Sequence, residues 1–213
     1  MKKVLLTGFG PFGKDTVNPA LITIQELSGK RLNAKKGKKQ IEYEIISKEI
    51  PVVYGKAIEE FIASVNEVKP DLIISIGQAG GRPAISLERV GINVDDADIP
   101  DNEKQKLRDS PIIKNGPAAY FTTMDIRNTF NKIQKAGIPV IISNSAGTYV
   151  CNNLTYGALH FLATTPEYSH IKYLFIHIPF IPSQVAEKKQ AHASMSLDLI
   201  KEAIKIAIEV NLD

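Results

Sequence analysis

Pro139-Val-Ile-Ile-Ser-Asn-Ser-Ala-Gly-Thr-Tyr-Val-Cys-Asn-Asn153 is an apolar run that ends in small and polar residues, then a glycine, then a thiol where a new helix begins. Strand, loop and helix in this order form the repeating unit of an α/β protein. Cys151 is the only cysteine of the chain. At a helix N-terminus, a thiol lies in the positive end of the helix dipole, which favours the reactive thiolate. The local pattern also suits a buried, inert cysteine, so the remaining sequence has to decide.

Outward from this stretch the same alternation recurs. Lys3–Thr7 reads as a short apolar strand, followed by a Gly- and Phe-rich loop from Gly8 to Val17. Asn18-Pro19 opens a helix, with Asn as N-cap and Pro at the first helical position, and the helix stops near Gly29. Strands are expected at Glu42–Ile50, Leu72–Ile76, Ile138–Ser143 and Ile171–Ile178. Helices are expected at Tyr54–Val68, Thr122–Ala136, Cys151–Ala163 and Ser194–Val210, the last with Leu197, Ile200, Ile204 and Ala207 on one side. Gly77 to about Ala118 reads as a long irregular segment that has room for short strands, and long connections are often functional. Continuous Ile/Val/Leu strands alternating with helices predict a three-layer α/β/α sandwich around a mostly parallel, mixed sheet. No linker or repeat divides the chain, so one domain over residues 1–213 is expected.

The totals exclude several classes. The chain has 213 residues, 44% of them hydrophobic, and a net charge of +3, too small to argue for nucleic acid. The basic run Lys30–Lys39 contains no interleaved aromatic and reads as a solvated connector between helix and strand. A lone cysteine leaves no internal disulfide and no zinc cluster. No apolar run approaches the roughly 20 residues that span a bilayer, and the apolar start is too short for a signal-peptide core, so no membrane partner and a cytoplasmic location are expected.

Gly8-Phe-Gly-Pro-Phe-Gly13 matches the spacing of a dinucleotide loop after a strand. Pro11 inside the motif, a helix cap delayed to Asn18 and no acid at Ile45-Ile46-Ser47 oppose that reading. A cysteine nucleophile instead needs a base within about 3 Å and a third group to orient the base. Of the histidines, His160 lies in the helix after Cys151, His170 in a loop, and His192 near the last helix. His177 sits at the carboxyl end of the apolar strand Leu174-Phe-Ile-His-Ile-Pro-Phe180, where open α/β sheets gather their sites. Glu88, between apolar Leu87 and the Arg89-Val90 pair, is the candidate acid to hold the imidazole tautomer.

At these residues the chain resembles the type I pyroglutamyl peptidase (pyrrolidone-carboxylate peptidase) family, over nearly its whole length. The likeness is carried by Thr7-Gly-Phe-Gly-Pro-Phe-Gly13 with Asn18-Pro19, by Gly77-Gln-Ala-Gly-Gly-Arg82 through Ile85-Ser-Leu-Glu-Arg89 and Ile99-Pro-Asp-Asn102, by Ser145-Ala-Gly-Thr-Tyr-Val-Cys-Asn152, and by His177-Ile-Pro-Phe180. The resemblance implies a phosphorylase/hydrolase-like fold and a cysteine exopeptidase that removes N-terminal pyroglutamate through a thioester. It implies no metal or cofactor, a cytoplasmic homotetramer, and the triad Glu88, Cys151 and His177. It further implies Phe9, Phe12, Ile99, Tyr149 and Val150 as apolar walls of the substrate pocket, with Asn18 and Gln78 as polar groups. One departure stands out. Where the family usually has arginine, this chain has Asp98, in Asp95-Asp-Ala-Asp-Ile-Pro-Asp-Asn102. An Asp facing Cys151 would oppose thiolate, and it motivates the alternative of a paralogue that binds a pyroglutamyl peptide or lactam without cleaving it. The acid cluster also raises a Ca²⁺ or Mg²⁺ site, but its spacing lacks a closing glutamate and reads as a solvated acidic loop.

Overall fold

The computed structural model of the protein describes residues 1–13, 15–37, 39–186 and 188–212; Lys14 of the expected glycine loop and Lys38 of the basic run lie outside them. In chain order the elements are β1 (Lys2–Phe9), α1 (Pro19–Leu27), β2 (Arg31–Lys36), β3 (Lys39–Ile50), α2 (Lys56–Val68), β4 (Leu72–Gln78), β5 (Ile85–Glu88), β6 (Val90–Ile92), β7 (Ala119–Phe121), α3 (Ile126–Lys135), β8 (Val140–Ser143), α4 (Val150–Thr164), β9 (Lys172–Ile178), α5 (Pro182–Val185) and α6 (Leu197–Asn211). The main sheet has strand order β2-β3-β1-β4-β9-β5-β8, and β6 and β7 form a separate ribbon.

Side chains alternate across each strand, and this sorts the apolar residues into two cores. Val4, Leu6, Ile74, Ile76 and Ile176 face α1, α3 and α6, while Leu5, Ile73, Tyr173 and Phe175 face α2 and α4. The result is the expected three-layer sandwich. β1 pairs parallel with β3 and β4, β4 with β9, and β5 with β8, whereas β2 with β3 and β5 with β9 are antiparallel. The sheet is therefore mixed, with most pairings parallel.

Three local expectations change. The basic run is not a connector: Arg31–Lys36 is an antiparallel edge strand on β3, with Ala34 buried. Lysines on an edge strand keep it soluble and deter pairing with other chains, so composition alone read as a loop. The 77–118 segment contains β5 and β6, both too short for a periodic signal. The third and last helices start later than expected because Asp125 and Ser196 cap them, accepting from Asn128 N at 3.0 Å and Leu199 N at 3.4 Å.

α4 is placed by close backbone approach. A Cβ on Gly91 of β6 would lie 2.8 Å from the backbone nitrogen of Tyr156 in α4. Gly91→Ala is expected to force ribbon and helix apart and to destabilise the protein by about 1–3 kcal/mol, read as a lower melting temperature; an unchanged value would mean that the ribbon does not set the position of α4.

Candidate active site

Strand alternation also determines which polar residues meet α4. Phase with Phe175 puts His177 on the α4 face of β9, and phase with Ile73 puts Gly77 on the same face of β4. Leu87 points to the opposite core, so Ser86 and Glu88 turn toward α4. Gly77 is directly across from His177 in the ladder, one strand spacing of about 4.8 Å away. A Cβ on Gly77 would lie 3.3 Å from the sulfur of Cys151. Sulfur and imidazole thus share one patch at the carboxyl edge of β4 and β9, and both line a cavity of about 190 Å³.

The route to this patch differs from the sequence expectation. β5 runs antiparallel to β9, so Glu88 at its carboxyl end aligns with Phe175, not with His177. The acid reaches the imidazole diagonally: Glu88 Oε1 lies 2.7 Å from His177 Nδ1. β8 also runs against β9. Cys151 therefore returns to the site through the 144–149 loop, not from the carboxyl edge itself. Arg82 Nη1 donates to the same Glu88 Oε1 at 2.8 Å. Glu88 is fully buried, and a buried carboxylate needs such partners. Arg82 also lines the cavity, as do Val52 and Ala146; sequence reasoning had not singled these out. Arg82 had a signal, being a lone cation six residues before the candidate acid in a Gly-Gly turn.

The remaining candidates fall as follows. Phe9, Phe12, Tyr149 and Val150 line the cavity, and Tyr149 packs edge-on against Tyr54 at 5.6 Å. Asn18 and Gln78 line it too. Asn18 caps α1 through Ala20 N and donates to Gly10 O at 2.8 Å, while Gln78 donates to Asp15 at 3.1 Å and accepts from Gln184 at 2.8 Å. Each side-chain amide keeps one N–H beyond these bonds. Ile99 is exposed and is not among the cavity-lining residues. Its neighbours instead brace the wall: Tyr149 donates to Pro100 O at 3.0 Å, Asn102 to Pro11 O at 3.0 Å, and buried Asp101 accepts from Tyr54 N at 3.0 Å.

The acidic cluster is not uniformly solvated. Asp98 is 91% exposed and pairs with Arg108, which also holds Asp96 at 3.0 Å. That pairing keeps the Asp98 carboxyl below the usual range. Asp98 faces solvent and not the sulfur, which removes the motive for a non-cleaving paralogue. Asp95, in contrast, is buried. Among the described residues no group of three His, Cys, Asp or Glu side chains is placed to hold a metal ion. The dinucleotide reading also loses its helix: α1 starts six residues after Gly13, with Asn18 filling its N-terminus. β3 does carry an acid near its end, Glu49, but it packs against Gly10, where a Cβ would meet it at 2.5 Å.

A family profile described as pyroglutamyl peptidase matches residues 2–213. The chain belongs to the pyroglutamyl peptidase family. It is 46% identical to the pyrrolidone-carboxylate peptidase of Treponema denticola, over 97% of this chain and 92% of that one. It is also 46% identical to that of Bacillus cereus, over 99% and 93%. Among solved structures it is similar to pyroglutamyl peptidase I of Bacillus amyloliquefaciens, with a TM-score of 0.89 at 42% identity over 100% of this chain and 97% of that one. A mutant pyrrolidone carboxyl peptidase of Pyrococcus furiosus gives a TM-score of 0.88 at 43% identity, over 99% and 98%.

Burial pushes the Cys151 thiol up to about 12; Glu88 adds to the rise and Arg82 opposes it. Loss of solvation is the largest of these effects, and with it the resting sulfur carries its proton at neutral pH. An unfolded cysteine titrates at about 8.5. Between that value and 12 the folded state binds more protons than the unfolded one, so stability falls as pH rises through this window. Cys151→Ala is expected to lack this alkaline loss: its melting temperature relative to wild type should climb above about pH 8.5. A constant difference would place the sulfur in a well-solvated or thiolate environment.

Proposed function

We propose that the protein is a cysteine exopeptidase of the pyroglutamyl-peptidase I type, which hydrolyses the bond after an N-terminal pyroglutamate by way of a thioester. The observation that carries this reading is the shared patch of Cys151, His177 and Glu88 beside a cavity sized for one small ring. His177 takes the proton of Cys151 as the sulfur attacks the scissile carbonyl. Glu88, on Nδ1, holds the ring so that its other nitrogen is presented to the sulfur, and it stabilises the imidazolium that forms. His177 then protonates the leaving amine, and water hydrolyses the thioester.

Negative charge moves from sulfur to the carbonyl oxygen during attack. Tyr149, the N-cap residue of α4, makes no side-chain capping bond, and its carbonyl takes the N–H groups of Asn152 and Asn153, so those of Val150 and Cys151 are left to meet that oxygen. The pyroglutamyl lactam is flat and uncharged. Phe9, Phe12, Tyr149 and Val150 supply apolar walls, and the remaining N–H groups of Asn18 and Gln78 supply lactam partners. The described chain serves as a single peptidase domain that needs no cofactor and acts on peptides, not on nucleic acid or membranes. We also propose a cytoplasmic homotetramer; exposed Phe121, and exposed Ile141 on the open edge strand β8, are apolar surfaces that association would cover.

A fluorogenic pyroglutamyl amide tests the activity. Cys151→Ala and His177→Ala are expected to reduce kcat by at least about 10³-fold, with Glu88→Gln also strongly impaired. The matching prolyl amide, which lacks the lactam carbonyl, should be cleaved about 10⁴-fold less efficiently. Full activity in Cys151→Ala would end the proposal. Asp98→Arg is expected to leave kcat/KM within about threefold, because the side chain faces solvent; a large gain would mean that this carboxylate reaches the reacting atoms.

A further inference from the structure

The buried carboxyl of Asp95 plays no part in the steps above, yet it touches the helix that carries Cys151. Its Oδ2 accepts from Asn153 Nδ2 at 2.8 Å. Asn153 is the second residue after Cys151 in α4. The other oxygens of both groups, Asp95 Oδ1 and Asn153 Oδ1, are buried without a partner. Both are pure acceptors if Asp95 is ionised, and two lone-pair-bearing oxygens beside one existing bond is a costly arrangement. Turning the Asn153 amide over would only set its oxygen against Oδ2. A single proton on Asp95 Oδ1 would answer both orphans at once, by donating to Asn153 Oδ1 and closing a ring of two hydrogen bonds with the existing one.

We propose that Asp95 is held as the neutral carboxylic acid, doubly hydrogen-bonded to Asn153, and acts as a positioning residue for the helix that presents Cys151. Its catalytic meaning rests on the peptidase reading; its protonation does not. Burial pushes this carboxyl up to about 7, against the lowering effect of the Asn153 bond. The groups around it supply no cation. Tyr54 faces it from the segment before α2, and burial above all keeps that phenol protonated. Arg108, across the short Asp95–Ser110 bridge, is engaged by Asp96 and Asp98 on the exposed side. The pair lies within a longer seam. Asn152 bonds Ile92 N and O and Val94 O at 2.9–3.0 Å, and Asp96 N bonds Thr148 O at 2.9 Å. Ionising Asp95 would place an unpaired anion in the middle of this seam.

The experiment compares wild type, Asp95→Asn and Asp95→Ala by melting temperature from pH 4 to 9, by infrared spectroscopy and by kcat on the pyroglutamyl amide. Asp95→Asn can make the same double bond without a titrating group. An unfolded Asp ionises near 3.9, so between there and about 7 the wild type should lose stability that Asp95→Asn keeps. The margin in melting temperature should be near zero at pH 4, grow to on the order of 10 °C by pH 7, and then stay flat. The C=O stretch of a protonated carboxylic acid should appear in wild type at pH 6 and vanish in Asp95→Asn. Asp95→Asn should keep kcat within a few-fold and retain it to higher pH, while Asp95→Ala should lose activity at every pH. A margin independent of pH, or no acid band in wild type, overturns the proposal. The band needs only folded wild-type protein, so the test survives a variant that does not fold. Melting and infrared readings need no turnover, so failure of the peptidase reading and failure of this one are separable.

Discussion

A carboxylate with no solvent exposure organises this site. Glu88 lies inside the sheet and both of its partners use one oxygen, His177 Nδ1 at 2.7 Å and Arg82 Nη1 at 2.8 Å. An ionised group so placed is tolerable only when paired and hydrogen-bonded. That constraint explains why Arg82 folds back from the Gly80-Gly81 turn, and why β5 must pair with β9 and not lie elsewhere in the sheet. It also fixes the imidazole. With Nδ1 committed to the acid, the second ring nitrogen is the one left to face the cavity.

The second constraint is proximity of backbone. At residue 77 a Cβ would meet the Phe175 ring at 2.8 Å and crowd the sulfur at 3.3 Å, and α4 can descend onto β6 only because residue 91 has no side chain. These glycines are not needed for unusual dihedral angles; they are needed for space. Asn152 and Asn153 then lock the start of the helix to the 92–95 segment with side-chain bonds that replace missing strand partners. The same segment runs on through Pro100, which holds Tyr149 at the cavity wall, and Asn102, which holds Pro11 between the lining residues Phe9 and Phe12. Helix position and pocket shape are thus one mechanical unit, and a change in the loop is felt at the thiol.

Much of this was legible in the sequence. Apolar periodicity gave the strands and helices, because each buries a continuous face, and the Asn18-Pro19 cap behaved as local chemistry dictates. His177 could be singled out because a polar residue in an apolar strand must have a partner, and Glu88 as the acid flanked by apolar Leu87 and Val90 that could orient it. What the sequence hid depends on long-range arrangement. The reversed direction of β5 and β8 leaves no local trace in strands of four residues. Asp95 and Asp98 stand three positions apart in one acidic run, yet one is buried against α4 and the other projects to Arg108. Composition cannot separate them, since burial is decided by α4, more than fifty residues later in the chain. Val52 and Ala146 line the cavity by the same kind of convergence.

Charge balance links the buried pair to the chemistry. Glu88 and Arg82 cancel, and the resting thiol is neutral because burial holds its proton. In the mechanism proposed above, moving that proton to His177 would create an imidazolium and a thiolate without changing the net charge of the cavity. The imidazolium would gain from Glu88 Oε1, while the thiolate would have Arg82 and the first turn of α4 nearby. Attack would then pass the negative charge from sulfur to the carbonyl oxygen, a short displacement toward the N–H groups of Val150 and Cys151. At no stage does the pocket have to hold an unpaired ion away from water, which in a cavity lined by Phe9, Phe12, Tyr149 and Val150 would be the most costly event in the cycle. Without Arg82, the fully buried Glu88 would leave a net negative charge beside a sulfur that must itself become negative. The arginine that sequence reading passed over is therefore what would make a buried acid and the half-buried sulfur of the proposed nucleophile compatible in one pocket.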